Sequence, residues 1–142
     1  MVTVIKNMND LKKQVDIACG KAVEETSITV MNKLHDCIDK QYYQDPGFYP
    51  NVYKRTFTFF NHVAYDMLTS NKSQIYVDIE GMHYKNNFSP WQVVSWAAES
   101  KHGAEYYQTK TDDFWSVFIE WCNDNIMELL KKNLMKQGLN IR

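Results

Sequence analysis

The residues that could perform acid–base chemistry in this chain are few and widely separated. Glu80 and His83 flank Gly81, and a turn there could bring the carboxylate and the imidazole together as an acid–base pair. His102 precedes Gly103, a position that suits the end of a helix as well as a catalytic role. A hydrogen-bonded turn and a helix cap are the more common uses of such residues. We therefore expect neither site to be catalytic.

Patterns for metal or nucleotide binding do not occur in the sequence. The five glycines are scattered, so no phosphate-binding loop of the GxGxxG or Walker type can form. His35 and Cys37 are two residues apart and point to different faces of a helix, and no further ligands complete a zinc site. Cys19, Cys37 and Cys122 lie on apparent apolar helix stripes, as buried reduced thiols do. The sequence predicts a protein without enzymatic activity, cofactor or metal.

Length, charge and hydropathy restrict the class of protein further. The chain has 142 residues, of which 44% are hydrophobic and 23% charged, and these values predict one globular domain over residues 1–142. The formal net charge of −1 argues against a general nucleic-acid-binding protein. No apolar run of about 18 residues is present, and the first residues lack the apolar core of a signal peptide. We expect no membrane contact and a cytosolic environment.

Apolar residues recur at three- and four-residue spacing through the first 40 residues and predict one long helix. Asn9 is expected to be its N-cap, with Asp10 in the first turn. Gly20 lies inside this helix and costs about 1 kcal/mol relative to alanine. A 142-residue monomer is too small to cover such a helix along its whole length. We expect part of the apolar stripe to meet another subunit or another protein.

The C-terminal third predicts a second long helix. Thr111 is expected to be its N-cap, Asp112 and Asp113 to lie in its first turn, and Gly138 to follow its last turn. The acidic face of this helix is either solvated or complementary to a basic partner. That face consists of Asp112, Asp113, Glu120, Asp124 and Glu128.

Between the two long helices the pattern changes several times. Residues 56–69 predict a short helix, and the alternation in residues 74–80 predicts a half-buried strand. Met82–Tyr84 could form a second strand or hairpin arm, and Ser89–Pro90 starts a helix that ends near Ser100. The elements together predict an α+β fold, in which long N- and C-terminal helices pack on a small antiparallel sheet with one or two short helices.

The segment between residues 41 and 56 combines turn signals with large aromatic side chains. Asp45-Pro46-Gly47 predicts a turn. The aromatics indicate either an ordered loop folded on the core or a contact surface, because Tyr and Arg are favoured at interfaces. Arg55 likewise either locks the loop through hydrogen bonds or contacts a partner. The candidate interface residues are Tyr42, Tyr43, Tyr49, Tyr53, Arg55 and Thr56.

This segment resembles a pattern of small phage and prophage proteins from low-GC Gram-positive bacteria. In those proteins paired tyrosines follow a long N-terminal helix and precede Y-P-x-x-Y-x-R-T, which corresponds to residues 49–56 here. His102-Gly103, Trp115 and an L-x-x-x-G sequence at residues 134–138 follow in the same order. Over roughly residues 8–138 the chain resembles the tail-component, or head–tail neck (tail-completion), family of long-tailed phages.

The resemblance implies a structural protein of the virion, a subunit of a homo-oligomeric ring between the head-closure protein and the tail terminator. It implies residence in the virion, with the host cytoplasm as the location before assembly. The modest basic end of the last helix suggests at most weak, sequence-independent contact with DNA. An alternative function is that of a phage-encoded accessory protein that binds and inhibits a host defence protein. Exposed aromatics and a low net charge suit that role as well.

Overall fold

Two long helices and a β-hairpin dominate the computed structural model, which describes residues 4–44, 58–84, 88–99 and 112–140. In chain order the elements are α1 (Met8–Ile38), a π-helical turn (Asp39–Tyr43), a 3-10 turn (Phe60–His62), β1 (Val63–Thr69), β2 (Lys72–Val77), α2 (Pro90–Ala98) and α3 (Phe114–Lys136). The strands β1 and β2 pair in antiparallel orientation. The predicted α+β fold, with long terminal helices on a small antiparallel sheet, is confirmed.

The first helix begins earlier than the sequence predicts. Asn7 has an extended backbone, and its side-chain oxygen accepts a hydrogen bond of 2.9 Å from the backbone N–H of Asp10. Asn9 already lies inside the first turn, so its prediction as the N-cap is wrong. Both asparagines suit a cap by type, and the backbone conformation of Asn7 decides between them.

Of the N-caps predicted for the other two helices, one is confirmed and one is wrong. Ser89 caps α2 as predicted, in a capping box in which Gln92 bonds back to the backbone N–H of Ser89. For α3 the cap is Asp113, whose carboxylate accepts a hydrogen bond of 2.7 Å from the N–H of Ser116. The prediction of Thr111 as this cap is therefore wrong, and Thr111 itself lies outside the described residues.

The C-terminus of α3 confirms the role predicted for Gly138. Its φ of 89° is the left-handed conformation that glycine adopts without steric cost. Its N–H donates to the carbonyl of Met135 at 2.9 Å, and the N–H of Leu139 donates to the carbonyl of Leu134 at 3.1 Å. These two bonds form a Schellman motif, which ends the helix.

Residues 56–69 do not form the predicted helix. Within the described part of this range the chain makes the 3-10 turn and then enters β1, where Val63 pairs with Val77 and Tyr65 with Ile75. Leu68, which the helical prediction placed on the apolar side, is 49% exposed. Pairing with a strand further along the chain overrides the local spacing, because β-branched and aromatic residues fit a sheet well.

The second strand agrees with its prediction only in part. β2 spans Lys72–Val77, which confirms the strand predicted over residues 74–80 as far as Val77. After Val77 the chain leaves the strand and enters a turn. Met82–Tyr84 is not a strand, although Met82 is buried in the core. The partner of β2 is β1, which precedes it in the chain.

Helices α1 and α3 pack against each other in antiparallel orientation. Near one end Lys33 places its Nζ 5.6 Å from the ring centre of Trp121. Near the other end the side-chain amide of Asn133 donates a hydrogen bond of 2.9 Å to the hydroxyl of Thr26. The two helices thus run in opposite directions, so that the later residues of α1 lie beside the earlier residues of α3. The last turn of α3 lies beside the middle of α1.

The hydrophobic core lies toward the C-terminal half of α1. Side chains from both long helices, the 3-10 turn, β1 and α2 meet there. The buried members are Val30, Leu34, Cys37, Ile38, Tyr43, Phe59, Val63, Met82, Ala97, Phe114 and Phe118.

The hairpin docks on another side of α1, beside its centre. The hydroxyls of Ser27 and Ser73 share a hydrogen bond, and Tyr65 donates a hydrogen bond of 3.3 Å to Glu24. At Gly20 a Cβ atom would lie only 2.5 Å from the backbone oxygen of Ser70 in the hairpin turn. The glycine inside α1 is thus explained by the close approach of this turn.

We predict that Gly20→Ala destabilises the protein, although alanine favours a helix by about 1 kcal/mol over glycine. The added methyl group meets a backbone oxygen, so the hairpin turn or the helix must move. Urea denaturation followed by circular dichroism measures the effect. Asn32→Ala, at an exposed position of α1, is the control and should be neutral or slightly stabilising. A Gly20→Ala variant as stable as this control would contradict the proposed steric limit.

A second prediction concerns the buried bond between α1 and α3. Thr26→Val keeps the shape of the side chain but leaves the amide of Asn133, which is 8% exposed, without its hydroxyl acceptor. We expect a loss of about 1–3 kcal/mol in the free energy of unfolding.

Thr29→Val is the matched control. The hydroxyls of Thr26 and Thr29 each donate to the carbonyl four residues earlier, but Thr29 is exposed. It should change the free energy of unfolding by no more than about 0.5 kcal/mol. Equal effects of the two substitutions would show that the contact with Asn133 adds nothing.

Candidate functional site

Tyr42 and Tyr43 lie in a set of packed rings that we call the aromatic cluster: His35, Tyr42, Tyr43, Phe59, Phe60 and Phe114. Tyr42 contacts Tyr43 and Phe59 edge-on, with ring centres 5.0 and 5.5 Å apart. Phe59 in turn meets Phe114 at 5.2 Å, which ties the cluster to α3. Such edge-to-face pairs are favourable beyond the apolar area that they bury.

The π-helical turn at the end of α1 positions both tyrosines. The N–H of Gln44 donates to the carbonyl of Asp39 at 2.9 Å, which is the wide i to i+5 spacing of this turn. Tyr43 is buried, and its hydroxyl accepts a hydrogen bond of 3.3 Å from the N–H of Phe60. Tyr43 and Phe60, which are 17 residues apart in the sequence, are thereby fixed to the same core.

The other predicted interface residues lie outside the described residues. These are Tyr49, Tyr53, Arg55 and Thr56. The structure therefore brings together two of the six candidates, Tyr42 and Tyr43, and places them against the core. An interface role for the six residues stays a prediction.

His35 is a titratable group inside the aromatic cluster. Its ring stacks on that of Phe60 with centres 4.8 Å apart and an angle of 25° between the planes. The Nε2 atom is buried and has no hydrogen-bond partner among the described residues. Burial lowers the pKa of His35 below its ordinary value, so the neutral imidazole is favoured.

The structure describes two of the three candidates for acid–base chemistry. Glu80 and His83 are both exposed, and the hydrogen bond of 3.1 Å in this turn runs from the N–H of Gly81 to Asp78. His102 lies outside the described residues. Over residues 4–44, 58–84, 88–99 and 112–140, no three His, Cys, Asp or Glu side chains are placed to share a metal ion.

The three cysteines differ in burial, and Cys37 is the buried one. Burial is the main cause that raises the pKa of the Cys37 thiol, and it also raises that of Cys122. A higher pKa disfavours the thiolate, which is the nucleophilic form. Among the described residues Cys19, Cys37 and Cys122 are free thiols, in agreement with the predicted reduced state.

The N-terminal part of α1 presents an exposed apolar stripe. We call residues 4–21 the α1 arm. Met8 is 75% exposed and Val4 68% exposed, and Leu11 is also exposed. Burial along α1 begins only at Ala22, beside the last turn of α3. The expectation that a long helix leaves part of its stripe uncovered is thus confirmed for the described residues.

An open groove of about 540 Å³ lies between the α1 arm and the hairpin turn. It exists because α1 continues past the point where Ser70 approaches Gly20. Lys12 and Lys21 line it together with Asp16, so charges of both signs face the groove.

The solvent side of α3 combines apolar and acidic residues. We call the following residues the α3 outer face: Trp115, Ile119, Glu120, Asp124, Met127 and Glu128. Trp115, Ile119 and Met127 are exposed, and the three carboxylates lie between and beside them. The acidic helix face predicted from the sequence therefore includes large apolar side chains that the apolar periodicity alone did not single out.

No helix among the described residues combines the length and the apolar composition needed to cross a bilayer.

Comparison with known proteins gives one family match. The model of the family described as YomN matches residues 7–140, which is nearly the whole chain. No curated protein and no solved structure matches the chain in the corresponding searches.

We predict that acidification destabilises the protein through His35. In the unfolded state its pKa is about 6.5, whereas burial lowers the pKa in the folded state. The unfolded state therefore binds more protons as the pH falls below about 6.5, and stability that is fully present above this pH is progressively lost. The free energy of unfolding measured across this pH range reports the loss.

His35→Phe keeps a ring against Phe60 and should make the acid limb of this profile shallower than in the wild type. His83→Phe, at an exposed histidine, is the control substitution. An acid limb that is the same in the His35→Phe variant and the wild type would show that His35 is not the responsible group.

Proposed function

The chain belongs to the YomN family, a phage-type family of the Bacillus prophage kind, and from this we propose that it is a structural protein of the phage particle. The specific role we propose is that of a non-catalytic subunit of the head–tail connector, in the neck or tail-completion ring. The family match supports the phage part of the earlier resemblance. The connector role rests on that resemblance and on the surfaces of the chain.

The observation that carries the proposal is the uncovered apolar surface on both long helices. The α1 arm exposes a stripe that begins at Val4 and Met8, and the α3 outer face exposes Trp115 and Met127. Contiguous exposed apolar surface is typical of proteins that assemble with partners. A ring subunit needs two different surfaces that meet in successive copies, and we propose the α1 arm and the α3 outer face for these roles.

The proposed partners follow from a position in such a ring. They are further copies of the chain, the head-closure protein and the tail terminator. Contact with DNA would be weak and independent of sequence, since the basic end of α3 is small and Lys136 is already paired with Glu25 at 3.0 Å. We propose the virion as the site of action and the host cytoplasm as the location before assembly.

A second candidate function is inhibition of a host defence protein by a phage-encoded accessory protein. The α3 outer face favours it, because carboxylates beside an exposed Trp115 suit a basic, partly apolar surface on another protein. Gene position separates the two functions. A gene among head-closure and tail genes favours the connector, and one in an early or accessory cluster favours the inhibitor.

We predict that the chain is present in purified phage particles. Quantitative mass spectrometry of intact virions should find its peptides at several copies per particle, in a constant ratio to the head-closure protein. Antibody labelling in electron micrographs of intact particles should locate it at the junction between head and tail.

Absence of the chain from virions, with free protein in the infected cell, would overturn the connector role. Affinity capture of a host protein from the same cells would then support the inhibitor. A phage enzyme that is never packaged serves as the control for contamination.

A further inference from the structure

The apolar stripe of the α1 arm continues the surface that α3 covers further along the same helix. Met8, Leu11, Val15 and Ala18 are spaced alternately by three and four residues, and the next step reaches Ala22. Ala22 is fully buried beside the last turn of α3, whereas Met8 and Leu11 are exposed. This spacing is that of a helix–helix seam. A second helix lying on the arm would extend the packing that α3 begins.

The flanks of this seam are basic. Lys12 directly follows the seam residue Leu11, and Lys21 directly precedes the seam residue Ala22. Both lysines are exposed. Over residues 4–21 four lysines face two aspartates, which leaves the arm with a net positive charge. Two arms paired with each other would bring two positive net charges together.

The α3 outer face has the opposite charge and a matching apolar content. Trp115 and Ile119 are 44% and 40% exposed, and Glu120 and Asp124 lie one turn apart beside them. Residues 112–128 contain five carboxylates and no lysine or arginine. A helix with an apolar seam and lysine flanks is complementary to this face.

The two surfaces cannot meet within one chain. Lys33 lies beside Trp121, and Lys12 is 21 residues earlier on the same continuous helix, which is about 30 Å along its axis. The arm therefore points away from the outer face of its own α3. Contact between the two surfaces requires a second molecule.

We propose that the α1 arm of one copy docks on the α3 outer face of a second copy. Each copy then uses both surfaces, the arm toward one neighbour and the outer face toward the other. Such a head-to-tail contact between different surfaces builds a ring when its rotation closes and a filament when it does not. The contact does not depend on the virion role proposed above and can be tested on the purified full-length chain.

The test uses charge reversal on each surface and their combination. The arm variant is Lys12→Glu with Lys21→Glu, and the face variant is Glu120→Lys with Asp124→Lys. Lys132→Glu, at an exposed position of α3 outside the outer face, is the matched control. Sedimentation velocity over a range of concentrations gives the dissociation constant of self-association, and circular dichroism verifies that each variant is folded.

We expect the wild type to associate, and each single-surface variant to weaken association by about tenfold or more. The combined variant, in which an acidic arm meets a basic face, should recover most of the wild-type affinity, and the control should match the wild type. Raising the salt concentration from about 0.05 M to about 0.5 M should weaken wild-type association, because the charges lie at exposed positions.

Three results would overturn the proposal. A wild-type chain that stays monomeric at the highest concentrations shows that the surfaces do not bind each other. A face variant that associates like the wild type points to pairing between arms instead. Failure of the combined variant to recover affinity shows that the two surfaces are not partners. None of these results bears on whether the chain is found in virions, so this contact and the proposed function fail independently.

Discussion

The antiparallel packing of α1 on α3 is the constraint on which the other features of the molecule depend. Its register is fixed near the middle of α1, where the amide of Asn133 donates to the buried hydroxyl of Thr26 and Lys136 pairs with Glu25. Another register would leave the buried side-chain amide of Asn133 without this acceptor in an apolar surrounding. This register determines where α3 stops and therefore which part of α1 is left uncovered.

The opposite end of the helix pair carries the aromatic cluster. There the π-helical turn redirects the chain after α1, and Tyr42 and Tyr43 contact the two phenylalanines at 59 and 60. Residues 42–43 and 59–60 are thus held together at one place in the fold. One end of the molecule is packed with aromatic rings, and the other end exposes the α1 arm.

Local signals predict those features that depend on a few neighbouring residues. Gly138 ends α3 because a left-handed residue is needed there, and Ser89 with Gln92 starts α2 because the capping box is complete within four residues. Where several residues suit the same role, the local signal fails to choose among them. Asn9 was predicted in place of Asn7 for this reason. The strand β1 was mistaken for a helix because its identity depends on pairing with β2.

For the candidate surfaces too, some features follow from neighbouring residues and others from contacts between residues that are distant in the sequence. The α+β class, the two long helices, the acidic side of α3 and an excess of apolar helix surface can be predicted from the sequence. Each of these follows from composition and spacing along one element. That Tyr42 and Tyr43 pack on the core, and that the uncovered stripe is the N-terminal part of α1, is visible only in the folded chain. These outcomes depend on where α3 and the hairpin lie against α1, and those positions are set by contacts between residues far apart in the sequence, such as Thr26 with Asn133 and Glu24 with Tyr65.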